Sequence, residues 1–315
     1  MPGPAARLVK WAWLSIAAAV ATIGLKAAAY LLTGSVGLLS DALESMVNLV
    51  AALVALVALT VAARPPDRSH HFGHGKAEYF SAGAEGVMIV LAAVLIVVSA
   101  VERLLHPRPL EELGIGLAIT LAATAINAVV GLLLLRVGRT HRSITLVADG
   151  KHLMTDVWTS IGVVVGVALV GLTGWLPLDS LVAIAVAINI LWTGYGLMVR
   201  ATRGLMDHSL PEQQEQDIVL CLRNVSAEYP AGQVRFHAIQ TREAGRQRFT
   251  SLHVLVPGEW TVAQAHDLVE LVEARLAEVV EDVQVHAHVE PVDDPRSYEV
   301  GRPGVALDDE PGALT

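Results

Sequence analysis

Residues 144–172 read ITLVADGKHLMTDVWTSIGVVVGVALVGL, an apolar run long enough to cross a bilayer, with His152 and Asp156 four residues apart near its start. On a helix that spacing puts both side chains on one face, one turn apart. An ionisable group inside a span costs roughly 3 kcal/mol or more, so it needs a partner or a task, and imidazole with carboxylate is a divalent-metal pair. Taken alone, such a pair could also be polar glue between two helices. A second span, VGLLSDALESMVNLVAALVALVALTV from residue 36, is interrupted in the same way by Asp41, Glu44 and Asn48. Glu44 and Asn48 are again four apart, and two helices each offering two oxygen or nitrogen ligands make a four-ligand site.

Working outward from these two runs, six apolar segments can be drawn at about 11–32, 36–62, 78–104, 113–136, 144–172 and 178–200. Hydrophobic residues make up 53% of the 315 positions, and the mean hydropathy of +0.52 excludes a soluble domain of this size. Even numbers of spans return both termini to one side. Arg7, Lys10, Arg64, Arg68, Lys76, Arg136, Arg139, Arg142, Arg200 and Arg203 fall in the N-terminus and alternate connections, against Arg103 and Arg108 opposite, so both termini are expected in the cytoplasm. The N-terminal segment reads as a leader into the first span, not as a removed signal peptide. Lys26 and Glu85 also lie at membrane depth, where they can pair with each other or snorkel, and Lys151 points about 100° away from His152 toward the entrance.

The connection between spans two and three, ARPPDRSHHFGHGKAEYF, ends a helix at Pro65 and Pro66 and then supplies Asp67, His70, His71 and His74. Asp67, His70 and His74 can close on one Zn²⁺. From Asp207 the composition is that of a small soluble domain with the order αββαβ: a helix opened by Pro211, two strands around a Gly turn, a helix capped by Thr261, and the strand EDVQVHAHVEPV. Strand alternation sets His286, His288 and Glu290 on one face, and His237, His253 and His266 complete a histidine-rich set. Residues 207–315 hold 20 acidic against 8 basic residues, a net of −12 that leaves +3 for the membrane half of a chain with formal charge −9. Such acidity speaks against nucleic acid and suits cations. With Cys221 as the only cysteine, neither an internal disulfide nor a thiolate cluster is possible. Residues 296–315, rich in Pro, Gly and Asp, are expected to be a disordered tail after domains at 1–206 and 207–295.

The motifs TGSVGLLSDALESMVN, HHFGHGKAEYF, ADGKHLMTDVWTS and HAHVEP resemble those of the cation diffusion facilitator family of metal transporters, over about residues 8–292. The resemblance implies an α-helical membrane protein: six transmembrane helices, then a small α+β ferredoxin-like domain in the cytoplasm. It further implies a homodimer in the cell (inner) membrane, exchanging divalent metal for protons. Matched residue by residue, it puts the transport site at Glu44, Asn48, His152 and Asp156, beside Asp41, and a loop site at Asp67, His70 and His74. It puts a third site at His237, His253, His288 and Glu290, with His266 nearby, and a charge interlock at Lys76 and Asp207. Where zinc members carry His or Asp and then Asp on the second span, this chain carries Glu44 and Asn48. A neutral amide oxygen there moves preference from tetrahedral zinc toward Mn²⁺, Fe²⁺ or Co²⁺ without excluding Zn²⁺. The reading is a proton-coupled exporter of divalent transition metal and not an enzyme, since neither a GxxxxGK[ST] loop nor a His-Glu-x-x-His helix is present. The alternative is a metal-sensing membrane scaffold that regulates a partner without transporting.

Overall fold

A computed structural model describes residues 8–33, 36–106, 114–175 and 177–298, with the side chains of Asp41 and Glu44 outside the described set. The chain divides into two compact units, Met1–Arg203 and Gly204–Thr315.

The first unit is six long helices: α1 (Val9–Thr33), α2 (Val36–Ala62), α3 (Ala77–Leu105), α4 (Gly114–Thr140), α5 (Ile144–Thr173) and α6 (Pro177–Leu205). Among the described residues four stretches are long and apolar enough to cross a membrane, namely Val9–Ala28, Ala77–Leu105, Leu121–Thr140 and Ser180–Leu205. Packing pairs α1 with α2 and α4, α4 with α5, and α3 with α2 and α5, so α5 has neighbours on several sides. Leu59, Leu134, Leu146 and Leu153 are fully buried between them.

Small residues decide how near α4 comes to α5. A Cβ on Gly150 would stand 3.0 Å from the Gly131 carbonyl oxygen and 2.9 Å from Leu135 Cγ. Without a strong hydrophobic drive between helices in lipid, such close backbone contact and its dispersion energy hold the pair. At the mouth of the same hairpin, Glu78 on α3 is buried and takes Ser143 Oγ (2.5 Å) and the Thr145 amide (3.4 Å) at the start of α5. A carboxylate there satisfies orphan helix donors and complements the positive end of the helix dipole.

Lys26, Asp149 and Glu85 are also buried among these helices, each beside a serine. Lys26 Nζ donates to Ser45 Oγ across α1 and α2 (2.7 Å). Ser15 Oγ donates to Asp149 Oδ1 (3.0 Å), and Ser81 Oγ to Glu85 Oε1 one turn along α3 (3.2 Å). The expected pairing of Lys26 with Glu85 is therefore corrected. Each is hydrogen-bonded to a serine hydroxyl, and Lys26 is buried rather than reaching outward.

The second unit has the order α7 (Glu212–Ala227), β1 (Arg235–Ala244), β2 (Gln247–Val256), α8 (Val262–Val279) and β3 (Val283–Pro291), the αββαβ α+β domain that the sequence predicts. Pro211 opens α7, and Thr261 caps α8 in a capping box with Gln264. The sheet order is β1-β2-β3, antiparallel between β1 and β2 and parallel between β2 and β3. Ile218, Leu222 and Val225 of α7 and Leu268, Val272 and Leu276 of α8 bury one sheet face with Ile239, Leu252 and Val254. A 3-10 turn, Pro295–Tyr298, follows, so the first residues assigned to a disordered tail are structured and the rest, 299–315, lies outside the described residues.

The Gly150 contact yields a sign contrast. In a helix interior Gly→Ala gains about 1 kcal/mol from propensity alone. Gly196→Ala, whose Cβ meets nothing within 4 Å, should raise the thermal midpoint in detergent. Gly150→Ala should lower it, because overpacking of roughly 1–3 kcal/mol outweighs the propensity gain.

Candidate functional site

Three groups of candidate ligands come together, each by a different route. In the helix bundle, the four-residue spacing of His152 and Asp156 on α5 faces Asn48 on α2. His152 Nε2–H donates to Asn48 Oδ1 (2.6 Å), and Asn48 Nδ2 donates in turn to Asp156 Oδ2. Asn48 thus bridges the two α5 residues, its amide satisfied at both ends. His152 and Asn48 are buried and Asp156 partly so. Glu44, expected as the fourth ligand, and its neighbour Asp41 lie outside the described side chains.

A residue that the sequence reading passed over joins this group. Asn127, buried on α4, donates from Nδ2 to the same Asp156 Oδ2 (3.2 Å). The signal available in the sequence was a lone amide in the apolar stretch LAATAINAVVGLLLL, but an uncharged side chain stands out less than an acid. Asp149, one turn before His152 on α5, was likewise not singled out as a buried carboxylate.

In the α2–α3 connection, Asp67 makes an Asx turn, its Oδ1 accepting the backbone N–H of Ser69 and of His70 (2.8 Å each). Those two bonds, Ser69's first, hold the carboxyl at about 2, below its ordinary 3.8, so it is ionised throughout the physiological range. Gly73 at φ 81 turns the chain back, a conformation that favours glycine. His74 Nε2 then stands 3.4 Å from Asp67 Oδ2 and His70 Nδ1 3.3 Å from Oδ1, with the two imidazole rings 4.3 Å apart. One oxygen and two nitrogens converge within 4.8 Å of one another. His71 is not in that group.

On the sheet, register builds the third group. His237 pairs with His253 across β1 and β2, and His253 with His288 across β2 and β3, a row of three imidazoles over three strands. Ring centroids are 5.0 and 5.1 Å apart. A bulge after His237, with Ala238 at φ 50, interrupts the pairing where that row begins. Glu290, two residues beyond His288 on the same strand face, accepts at Oε2 from His237 Nε2–H (3.0 Å) and His253 Nδ1–H (3.1 Å), while His288 Nε2 is 3.6 Å from Oε1. His266 is not brought into this group. It lies on α8, exposed, with Nε2 3.8 Å from Glu270 one turn on. Asp207, assigned to a charge interlock with Lys76, has Arg242 Nη1 at 3.1 Å, and Lys76 stands at the N-cap of α3.

The sheet group and the helix group share one chemical feature. The ring N–H bonds of His237, His253 and His152 point at the oxygens with which those nitrogens would share a cation. A ring nitrogen that carries its proton has no lone pair to offer, so a cation could bind there only where that proton leaves or moves to the other nitrogen.

Comparison with known proteins follows this division. A family model for the cation efflux transmembrane domain matches residues 12–206, and one for the cation efflux protein cytoplasmic domain matches residues 211–292. A transporter of Synechocystis sp. described as uncharacterized is 55% identical over 295 residues, covering 93% of this chain and 94% of its own length. The cation-efflux pump FieF of Shewanella oneidensis is 30% identical over 278 residues, covering 88% of this chain and 92% of its own. FieF of Serratia proteamaculans is 33% identical over 288 residues, covering 91% and 94%. A solved structure of a putative zinc transporter, CzrB, is 30% identical with a TM-score of 0.24, covering 26% of this chain and 96% of that one.

The depressed Asp67 carboxyl makes a pH-dependence test. A group held at about 2 keeps its charge from pH 4.5 to pH 8, so whatever it contributes to holding a cation is constant over that range and is lost only as pH falls toward 2. Zn²⁺ titrations of wild type and Asp67→Asn should give an affinity ratio that does not change between pH 5 and pH 8, even though both affinities fall in acid. Carried down to pH 3, where a carboxyl at its ordinary 3.8 would be mostly protonated, the ratio should still hold, and a collapse between pH 5 and pH 3 would mean the carboxyl titrates in its ordinary range.

Proposed function

Because this chain belongs to the cation diffusion facilitator (cation efflux) family, we propose that it exports divalent transition-metal cations from the cytoplasm in exchange for protons. The family is one of transporters rather than enzymes, and the chain is a multi-pass membrane protein. What carries the finer reading is one observation: His152, Asn48 and Asp156 form a continuous bonded set that joins α2 to α5 inside the bundle.

In the proposed mechanism Asp156, His152 and Asn48, completed by Glu44, hold the cation, with Asp41 close by in sequence. Loading requires ionised carboxylates and a ring nitrogen freed of its proton, so cation and proton compete for the same atoms. Exposure to a proton-rich outer medium reverses loading and returns the protons inward. The basic residues of the N-terminus and alternate connections support cytoplasmic termini in an inner membrane. The domains read as 1–206 for transport, 207–295 for metal sensing and 296–315 for a tail. We place Asp67, His70 and His74 at the cytoplasmic entrance as a capture site.

His237, His253, His288 and Glu290 fit a regulatory site in an acidic domain. Two such domains in a homodimer repel one another, and bound cations relieve that repulsion, favouring the associated form by mass action. Lys76 and Asp207 are kept as interlock candidates. The amide of Asn48 offers a neutral, hard oxygen, which supports Mn²⁺, Fe²⁺ or Co²⁺ beside Zn²⁺ as cargo. A scaffold that senses metal without transporting is the competing reading, and vesicle flux separates the two.

Two outcomes are expected in reconstituted vesicles. Asp156→Ala should abolish metal flux and leave a folded dimer of lower thermal midpoint, since it removes an intramembrane charge but strands the Nδ2 groups of Asn48 and Asn127. Asn48→Asp should raise Zn²⁺ relative to Mn²⁺ in competition flux. Normal transport by the first variant, or an unchanged ranking in the second, would move the site or its selectivity elsewhere. For the sheet group, His253→Ala with His288→Ala should remove most of the Zn²⁺-induced rise in thermal midpoint of the full-length protein, with Mg²⁺ as the ionic-strength control, while flux persists at a reduced rate.

A further inference from the structure

Asn127 stands in the middle of α4, in a largely apolar stretch, and is 2% exposed. An amide buried in such surroundings is costly for each group left without a hydrogen bond. Its Nδ2 is satisfied by Asp156 Oδ2 at 3.2 Å, but its Oδ1 is fully buried and has no partner among the described residues. The position is not incidental. Residues 127 and 156 face each other across the α4–α5 hairpin, near the close approach at Gly131, one turn along α4, and Gly150, nearly two turns back along α5.

Nitrogen and oxygen of an amide exchange places by a half-turn of the side-chain torsion. Which of them faces Asp156 follows the charge found there. A bare carboxylate attracts the NH₂ group, and Asn48 makes the same choice, aiming its own Nδ2 at that oxygen. With a divalent cation on the carboxylate the local sign reverses, and a carbonyl oxygen becomes the favoured end. The unpartnered Oδ1 is then the group with something to gain.

We propose that Asn127 is a fifth, specificity-determining residue of the transport site. It restrains Asp156 through its N–H in the unloaded state and turns its carbonyl oxygen to the cation on loading. This rests on the reading that Asn48, His152 and Asp156 hold the cargo. Two amide oxygens from two helices enrich the set in hard donors and take it beyond four ligands. That suits Mn²⁺ or Fe²⁺, which accept five or six oxygen-rich ligands, more than Zn²⁺ in a tetrahedron. Asn127 thereby acts in the same direction as Asn48, from a helix that the α2–α5 pattern does not include.

The test uses full-length protein in proteoliposomes with Mn²⁺ and Zn²⁺ competing in one preparation, so that loss of folded protein cancels in the flux ratio. Asn127→Ala should lower the Mn²⁺/Zn²⁺ ratio about tenfold, a size typical of groups that support a metal ligand. Asn127→Asp, which exchanges the neutral amide oxygen for a charged one as Asn48→Asp does, should also lower the ratio. Equal loss of both fluxes in Asn127→Ala, with the ratio unchanged, overturns the proposal, because a purely structural amide would act on both metals alike. Should the Ala variant not fold, Asn127→Asp decides, and an unchanged ratio in it overturns the proposal. Asp156→Ala in the same assay keeps the two claims apart. Normal flux there sinks the underlying site, whereas abolished flux beside an unchanged Asn127→Ala ratio sinks only the role of Asn127.

Discussion

A carboxylate placed within an apolar helix bundle has to be held by donors, and much of the membrane unit is arranged around Asp156 for that reason. Water is scarce at that depth, so the protein itself must supply the hydrogen bonds. Two amides do so, Asn48 from α2 and Asn127 from α4, and His152 completes the chain through the Asn48 carbonyl. Three helices are thereby tied to one side chain. The requirement reaches into positions that carry no chemistry: Gly131 and Gly150 let α4 lie close enough for a short amide to reach across.

The same constraint recurs along the bundle with weaker partners. Asp149 and Glu85 each accept a serine hydroxyl, and each keeps one carboxyl oxygen without a partner among the described residues. Glu78 is better served, with a hydroxyl and a backbone N–H at the start of α5. That bond set fastens the first turn of α3, and with it the loop carrying Asp67, His70 and His74, to the helix that carries His152 and Asp156.

Outside the bundle, similar ligands are gathered by different geometry. The loop group depends on an Asx turn and one glycine at positive φ, which are local devices. The sheet group depends on register, because a slip of one residue in β2 would send His253 to the buried face and break the row. A net of −12 over residues 207–315 and of +3 over the rest leaves the two halves electrostatically distinct.

Much of this was legible without coordinates. Six spans follow from apolar length, and the αββαβ order follows from Pro211, the Thr261 cap and strand alternation, all within a few residues of chain. Ligand types were legible for the same reason: His152 with Asp156 and Asp67 with His70 and His74 are neighbours in sequence, where helix pitch or a turn decides who meets whom. The tertiary structure alone decided the rest. It brought Asn127 to Asp156, gave Lys26 a serine and left Glu85 another, kept His266 away from the other histidines, and set His237, His253 and His288 in one row. Those meetings depend on how closely two helices approach and on which strands lie side by side. Both are set by side-chain volume and backbone contact between segments far apart in the chain, which local periodicity does not record.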